Sequence, residues 1–272
     1  MEVRINRESY EEVPKIWFEA SPLQNYVLSI LSHMFPDGER FFIRAVKRYA
    51  DRVTDPKFQE EIKAFIGQEM QHGLAHERFN RAIQEATGAD LSWFMWLFTV
   101  PLFDKLEKYL TERGLAYRFA LGCTAAAENM TAAFAENVFK NPEAMEKMRK
   151  DIRYLFEWHA AEEIEHRHIA FDLYKAAGAS YGERIASAIF TYLLIWFYVV
   201  VGTSYLILKD RDYPWHSLPK ELIDFFMKEN ALGRITIESF FDYLRADFHP
   251  NDRPIPHKAE EFLEQISRQK VA

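Results

Sequence analysis

Cysteine is nearly absent: 272 residues hold one, Cys123. No disulfide can close within the chain, which fits a reducing compartment. Cys123 also has no histidine at usable spacing, so thiol nucleophile chemistry has little support. Glycine and proline are sparse, at 10 and 11, and alternating β-branched runs are nearly missing. No Gly-rich phosphate loop occurs. Lys and Arg are spread among acids and form no stripe, and the net charge is −7, so nucleic acid is not an expected partner. The N-terminal MEVRINRESYEEVPKIW is too acidic and too polar for a secretory signal. The expected location is the cytoplasm.

What is present is a helical alphabet. Ala, Glu, Leu, Lys, Arg and Phe dominate long stretches with apolar residues three and four apart, so the chain reads as all-α. At 49% hydrophobic it can bury a large core. Ser21 and Pro22 predict the start of a first helix running to Asp51, interrupted at Pro36-Asp37-Gly38. Thr54 or Asp55 as cap, with Pro56 in the first turn, predicts a second helix running to about Ala86 and stopping near Gly88. An aromatic connection broken by Pro101 follows, then helices over 117–139 and 142–177. Two shorter helices are expected near 219–230 and 234–247, with one or two helical turns in the Pro-rich tail. Residues 1–180 form the expected bundle, with 181–272 packed on it as part of one domain. Between Ile185 and Leu208 no residue is charged. That length can cross a bilayer, yet Thr191, Tyr192, Thr203, Ser204 and Tyr205 suit close packing better. Burial against the bundle, a dimer interface and contact with the inner membrane face all remain open.

The stretch EWHAAEEIEHRHIAFD, 157–172, poses the functional question. On a helical wheel His159, Glu163 and His166 fall within an arc of about 60°. Glu165 and His168 face elsewhere, and Glu162 sits at the margin as an outer partner. Glu69 and His72 repeat the Glu-x-x-His pattern upstream, with His76 one turn further along the same stripe. A two-metal bundle pairs each Glu-x-x-His helix with a helix carrying a single Glu. Glu39 precedes Glu69 by 30 residues and Glu128 precedes Glu163 by 35. Glu128 lies on a stripe of small uncharged residues, where an unpaired carboxylate is costly. Solvated helix edges are the competing account of Glu39 and Glu128, and a core histidine that of His159. Asp172, His168, His249 and His257 read as structural or surface groups.

The run EEIEHRHIAFDLY after WHA, with Glu69 and His72 upstream, resembles a bacterial family described as predicted metal-dependent hydrolases. The ligand pattern is similar to ferritin-like di-iron proteins, and the His159-x-x-x-Glu163-x-x-His166 extension resembles the p-aminobenzoate N-oxygenases. The resemblance implies a four-helix bundle with a long crossover, and Glu39, Glu69, His72, Glu128, His159, Glu163 and His166 as metal ligands. It implies two metal ions, iron first and manganese or zinc next. Three functions follow as expectations. The first is an oxygen-activating oxidase or oxygenase acting on an apolar or aromatic small molecule, with dioxygen and an electron donor as partners. The second is a two-metal hydrolase, and the third a metal-binding bundle without catalysis. A homodimer is the expected assembly.

Overall fold

Ser21 caps the first helix: its hydroxyl accepts the backbone N–H of Gln24, and Pro22 occupies the first turn. Helix α1 (Pro22–Ala50) is joined by a short loop to α2 (Pro56–Thr87), which Asp55 caps. Gly88 ends α2 with φ of 61°, a left-handed stop that glycine adopts without a Cβ clash. The computed structural model describes residues 1–113 and 116–268. A crossover of α3 (Ser92–Thr99), a π-helical stretch (Val100–Glu107) and α4 (Lys108–Glu112) leads to α5 (Ala116–Lys140). The one-turn α6 (Pro142–Met145), then α7 (Lys150–His166) and α8 (Ile169–Ala176), complete the second hairpin. After α9 (Tyr181–Lys209) come α10 (Leu218–Met227), α11 (Leu232–Tyr243) and α12 (His257–Arg268). Among the described residues no strand occurs, only a bridge between Phe18 and Met148. The fold is all-α: a ferritin-like bundle of two hairpins joined by a long crossover.

Four expectations need correction. Pro36 does not interrupt α1 but lies inside it. Proline removes the N–H that would bond to the carbonyl of Ser32. Asn80 Nδ2 donates to that carbonyl at 2.9 Å instead, so the acceptor stays satisfied and the helix continues to Glu39 and beyond. Pro101 likewise does not break the aromatic connection, which stays helical by widening into the π-helical stretch. The predicted helix over 142–177 divides into α6, α7 and α8. The first break lets Met148 pair with Phe18, and the second follows His166 directly. There Arg167 turns inward, donating to the Arg253 carbonyl at 2.6 Å and approaching Glu136 at 3.4 Å. Finally, the tail holds a full helix, α12, rather than a turn or two.

The core joins both parts of the chain. Ala188 and Tyr192 of α9 share one apolar cluster with Leu121 and Ala125 of α5 and Phe171 of α8. Tyr198, Val199 and Leu206 share another with Tyr26 and Ile30 of α1 and Phe94 of α3. The N-terminal segment is held too, with Trp17 and Phe18 packed among Phe79, Ile83 and Trp158.

At the α1–α9 crossing, Gly202 has no room for a side chain: a Cβ there would lie 2.8 Å from Ile30 Cδ1. Gly202→Val is expected to lower the urea midpoint by an amount equivalent to about 1–3 kcal/mol, the usual cost of overpacking. An unchanged midpoint would place α9 away from α1.

Candidate metal centre

The interior of the four bundle helices is charged. Glu39 of α1, Glu69 and His72 of α2, Glu128 of α5, and Glu163 and His166 of α7 are all buried, with exposures between 0 and 4%. Carboxylates in such a place require partners, because removing an ion from water costs several kcal/mol. Hydrogen bonds do not supply them. Both oxygens of Glu39, both of Glu69, Oε1 of Glu128 and Nδ1 of His72 have no hydrogen-bond partner among the described residues.

The unsatisfied atoms converge. Ligand atoms of Glu69, His72, Glu163 and His166 lie within 4.8 Å of one another, as do those of Glu39, His72 and His159. Either group could hold a metal ion, and His72 is common to both. Glu128 joins through His166, whose Nδ1 lies 3.1 Å from Glu128 Oε2. The structure thus brings together all seven residues singled out by spacing. The donor set of oxygens and imidazole nitrogens suits iron, manganese or zinc.

Outer groups fix the protons on two of the imidazoles. His72 Nε2 lies 2.9 Å from Glu162 Oε2, and burial pushes that carboxyl up to about 8; once Glu162 is ionised Nε2 donates to it, leaving Nδ1 a lone pair facing Glu69 and Glu163. Arg4 in turn lies 3.1 Å from the other oxygen of Glu162. For His159 the chain is longer. Asn80 Nδ2 donates to the Ser32 carbonyl, so Asn80 Oδ1 must accept the Ser32 hydroxyl, at 2.6 Å. Ser32 Oγ can then only accept from His76 Nδ1, at 2.8 Å. Burial holds the His76 ring neutral, well below the usual histidine range, so its Nε2 accepts from His159 Nδ1 at 2.8 Å. His159 Nε2 is left as a lone pair, 2.9 Å from Glu163 Oε1. Two acceptors that close need a cation or a proton between them.

His166 differs. Its two nitrogens lie 3.1 Å from Glu128 Oε2 and 3.1 Å from Glu69 Oε1. Burial alone would lower its pKa, but Glu128, Glu163 and Glu69 together raise it well above the usual value. Burial, and then repulsion from Glu69, Glu163 and their neighbours, pushes Glu39 and Glu128 far above the carboxylate range. Burial raises Glu69 as well. Glu163 goes the other way: burial raises it, but the charge of His166, a proton on His159 Nε2 when no metal sits there, and the Thr131 hydroxyl outweigh that. Without a metal, the imidazolium of His166 and protons on the carboxyls balance the charge.

Other groups behave as their helical angles imply. Glu165 pairs with Arg4 at 2.9 Å and accepts from Gln68 at 2.7 Å, outside the cluster. His168 lies 3.7 Å from Glu61, and Asp172 pairs with His249 at 2.9 Å. His257 is exposed, and Cys123 is buried with its thiol pushed up to about 12 by burial. Sequence reasoning missed Arg4, Ser32, Asn80 and Thr131. Thr131, one turn after Glu128, donates to Glu163 Oε2 at 2.5 Å. Asn80 carried a usable signal, lying one turn beyond His76 on the same helix stripe.

A family model described as predicted metal-dependent hydrolase matches residues 2–253. The chain belongs to that family. No curated protein and no solved structure matches it. The matched span includes every residue of the cluster, from Glu39 to His166, as well as Arg4, and the metal dependence in the family description agrees with the buried donor set.

The charge balance makes metal-free stability depend on pH. Carboxyls with a raised folded pKa contribute most below their ordinary value and lose that contribution as pH rises through the folded one. His166, also raised, has the same sign above about pH 6.5. His72 and His76 are depressed, so they are neutral in both states there and add no slope. Metal-free protein should therefore lose stability from about pH 7 to pH 9, by about 1.4 kcal/mol per pH unit for each proton retained. Glu39→Gln should flatten that slope. Stability flat or rising with pH in the metal-free wild type would contradict the burial of these carboxyls.

Proposed function

We propose that Glu39, Glu69, His72, Glu128, His159, Glu163 and His166 hold two divalent metal ions, preferably iron, and that the centre oxidises an apolar small molecule with dioxygen. The observation that supports this is the contrast between the centre and what lies beside it. A cavity of about 140 Å³ reaches Glu39 from between α1, α5, α9 and the crossover. Its walls are almost wholly apolar, with Phe35, Phe42, Phe98 and Phe103 among them. A second cavity of about 110 Å³ reaches Glu163 and His159. Leu31, Phe35, Thr131 and Phe134 line both.

When bound, such metals supply electrons and Lewis acidity that no side chain here offers. The chain supplies the rest. Apolar walls hold a substrate by shape and exclude water from the carboxylates. The cavity ends on Glu39, a carboxylate with both oxygens uncommitted, as Glu69 also is. His76 fixes the tautomer of His159, and Glu162 with Arg4 fixes that of His72. Thr131 holds one oxygen of Glu163 and limits its rotation.

Hydrolysis at the same centre is the second reading, and the family description favours it. In its way stands the scarcity of polar groups along the cavity. A developing oxyanion needs donors; the Thr131 hydroxyl is already committed to Glu163, which leaves the Thr191 hydroxyl in the cavity wall. Aspartates, common in two-metal hydrolases, are missing from the cluster.

Two measurements separate these readings. Wild type should bind two metal ions per chain. Glu128→Ala or Glu163→Ala should abolish that stoichiometry, whereas Glu165→Gln and His168→Ala should retain it. Unchanged metal content in the first pair would misplace the site. Protein loaded anaerobically with ferrous iron should consume dioxygen and develop a transient absorption. Rapid hydrolysis of esters or amides by the zinc form, with no oxygen uptake by the iron form, would decide for the hydrolase.

A further inference from the structure

Helix α9 is apolar on both faces. Toward the bundle it turns Ser187, Thr191, Tyr192, Gly202 and Thr203 together with Tyr198, Val199, Leu206 and Ile207. A second set of large apolar residues faces outward: Ile189, Leu193, Phe197, Val200 and Leu208 are 44 to 73% exposed. They recur at three- or four-residue intervals or multiples of them, so they form one stripe about 30 Å long. Among the outward positions of that stripe only Ala186 and Ser204 are small or polar. A water-facing helix normally carries polar residues on its outer face.

The neighbours of α9 are exposed and apolar as well. Trp93 of α3 packs edge-on against Tyr205 at 5.1 Å, and Trp96 beside it is 59% exposed. Phe225 of α10 meets Trp196, while Ile223 and Met227 are exposed at 62 and 72%. Isolated exposed apolar side chains need no account, but a continuous surface of them marks an interaction site.

Two observations select the occupant. The first is the cavity mouth. Phe190 of α9 and Leu106 of the crossover line the cavity and are each exposed by more than a third. The passage to Glu39 therefore opens on this face, and a second copy packed there would close it. The second is charge. Lys105, Lys108 and Lys209 are exposed next to the apolar residues and make no ion pair among the described residues. Lys209 also lies 5.7 Å from the Tyr205 ring. Cations and aromatic rings at the edge of an apolar face complement anionic lipid headgroups. A second copy would bring the same cations rather than anions.

We propose that the outward face of α9, with α3 and α10 beside it, docks on the surface of an anionic lipid bilayer, and that the cavity draws the apolar chain of a bilayer-resident amphiphile toward Glu39. The helix lies in the interface and does not cross it, since its other face is built into the clusters shared with α1 and α5. The substrate class rests on the metal-centre reading; the docking does not.

Flotation with vesicles of phosphatidylglycerol and phosphatidylcholine tests the docking. Wild type should float with the vesicles, less so at high salt, and its tryptophan emission should shift to the blue as Trp93 and Trp96 leave water. The variant Leu193→Gln/Phe197→Gln/Val200→Gln changes only exposed positions outside the cavity. It should keep its thermal midpoint and metal content and lose at least nine-tenths of the floated fraction. Equal flotation of both proteins would overturn the proposal. So would a detergent-free wild-type dimer that ignores vesicles and that the triple variant converts to a monomer. For the cavity the probe is cis-parinaric acid, whose fluorescence rises on entering an apolar site. Ala120→Leu within the cavity, or Phe190→Asp at its exposed mouth, should weaken its binding at least tenfold. Unchanged binding in both would remove the substrate class. The probe needs no metal, so Glu128→Ala protein that still binds it would separate failure of the metal centre from failure of the cavity.

Discussion

The structure depends on one constraint: four carboxylates are placed where water cannot reach them. Glu39, Glu69, Glu128 and Glu163 come from the four bundle helices and meet at the centre. Among the described residues none of the four pairs with a lysine or an arginine. The nearest cation is the imidazolium of His166, wedged between Glu128 and Glu69. Arg4 reaches only as far as Glu162 and Glu165, outside the cluster. An interior of this kind stores repulsion in the metal-free protein, and metal ions relieve it.

The surrounding structure follows from holding that cluster in register. Glu39 directly follows Pro36-Asp37-Gly38, a sequence that ordinarily ends a helix. It nevertheless sits on an unbroken α1, because Asn80 takes over the carbonyl that Pro36 leaves free. The same Asn80 orients Ser32, and through Ser32 and His76 the proton on His159. One asparagine of α2 therefore keeps α1 intact and sets the tautomer of a histidine on α7. The break after His166 is the complementary device. Once α7 has brought His159, Glu163 and His166 to the centre, Arg167 keeps right-handed helical angles at the break and its buried side chain ties Glu136 and the segment near Arg253 together.

This division explains what could be read in the sequence. Helical spacing is enough to bring Glu69 next to His72, and His159 next to Glu163 and His166, because residues three and four apart share a face whatever surrounds the helix. The pairing of hairpins then called for one Glu upstream of each motif, and Glu39 and Glu128 stand there in the structure. The all-α class, the crossover and the caps at Ser21 and Asp55 were legible for the same local reasons. Pro36 was not, because its tolerance depends on Asn80, a side chain of the next helix. Arg4 was not, because its partners lie 158 and 161 residues away. Local rules place ligands; the groups that orient them are found only in three dimensions.

The apolar run of α9 shows the same limit from the other side. Composition marked Ile185–Leu208 as long enough for a bilayer and could not say which face was wet. The structure resolves the two faces: hydroxyls and Gly202 inward, Leu193, Phe197 and Val200 outward. Small residues let α9 approach α1 closely, to the point where Gly202 touches Ile30. That close approach brings Phe190, Leu194 and Ile195 into the cavity wall. The helix that forms the outer face is therefore also a wall of the passage to Glu39. An apolar outer face, costly for a helix in water, becomes consistent once that face meets an apolar medium, and the passage behind it is then continuous with that medium.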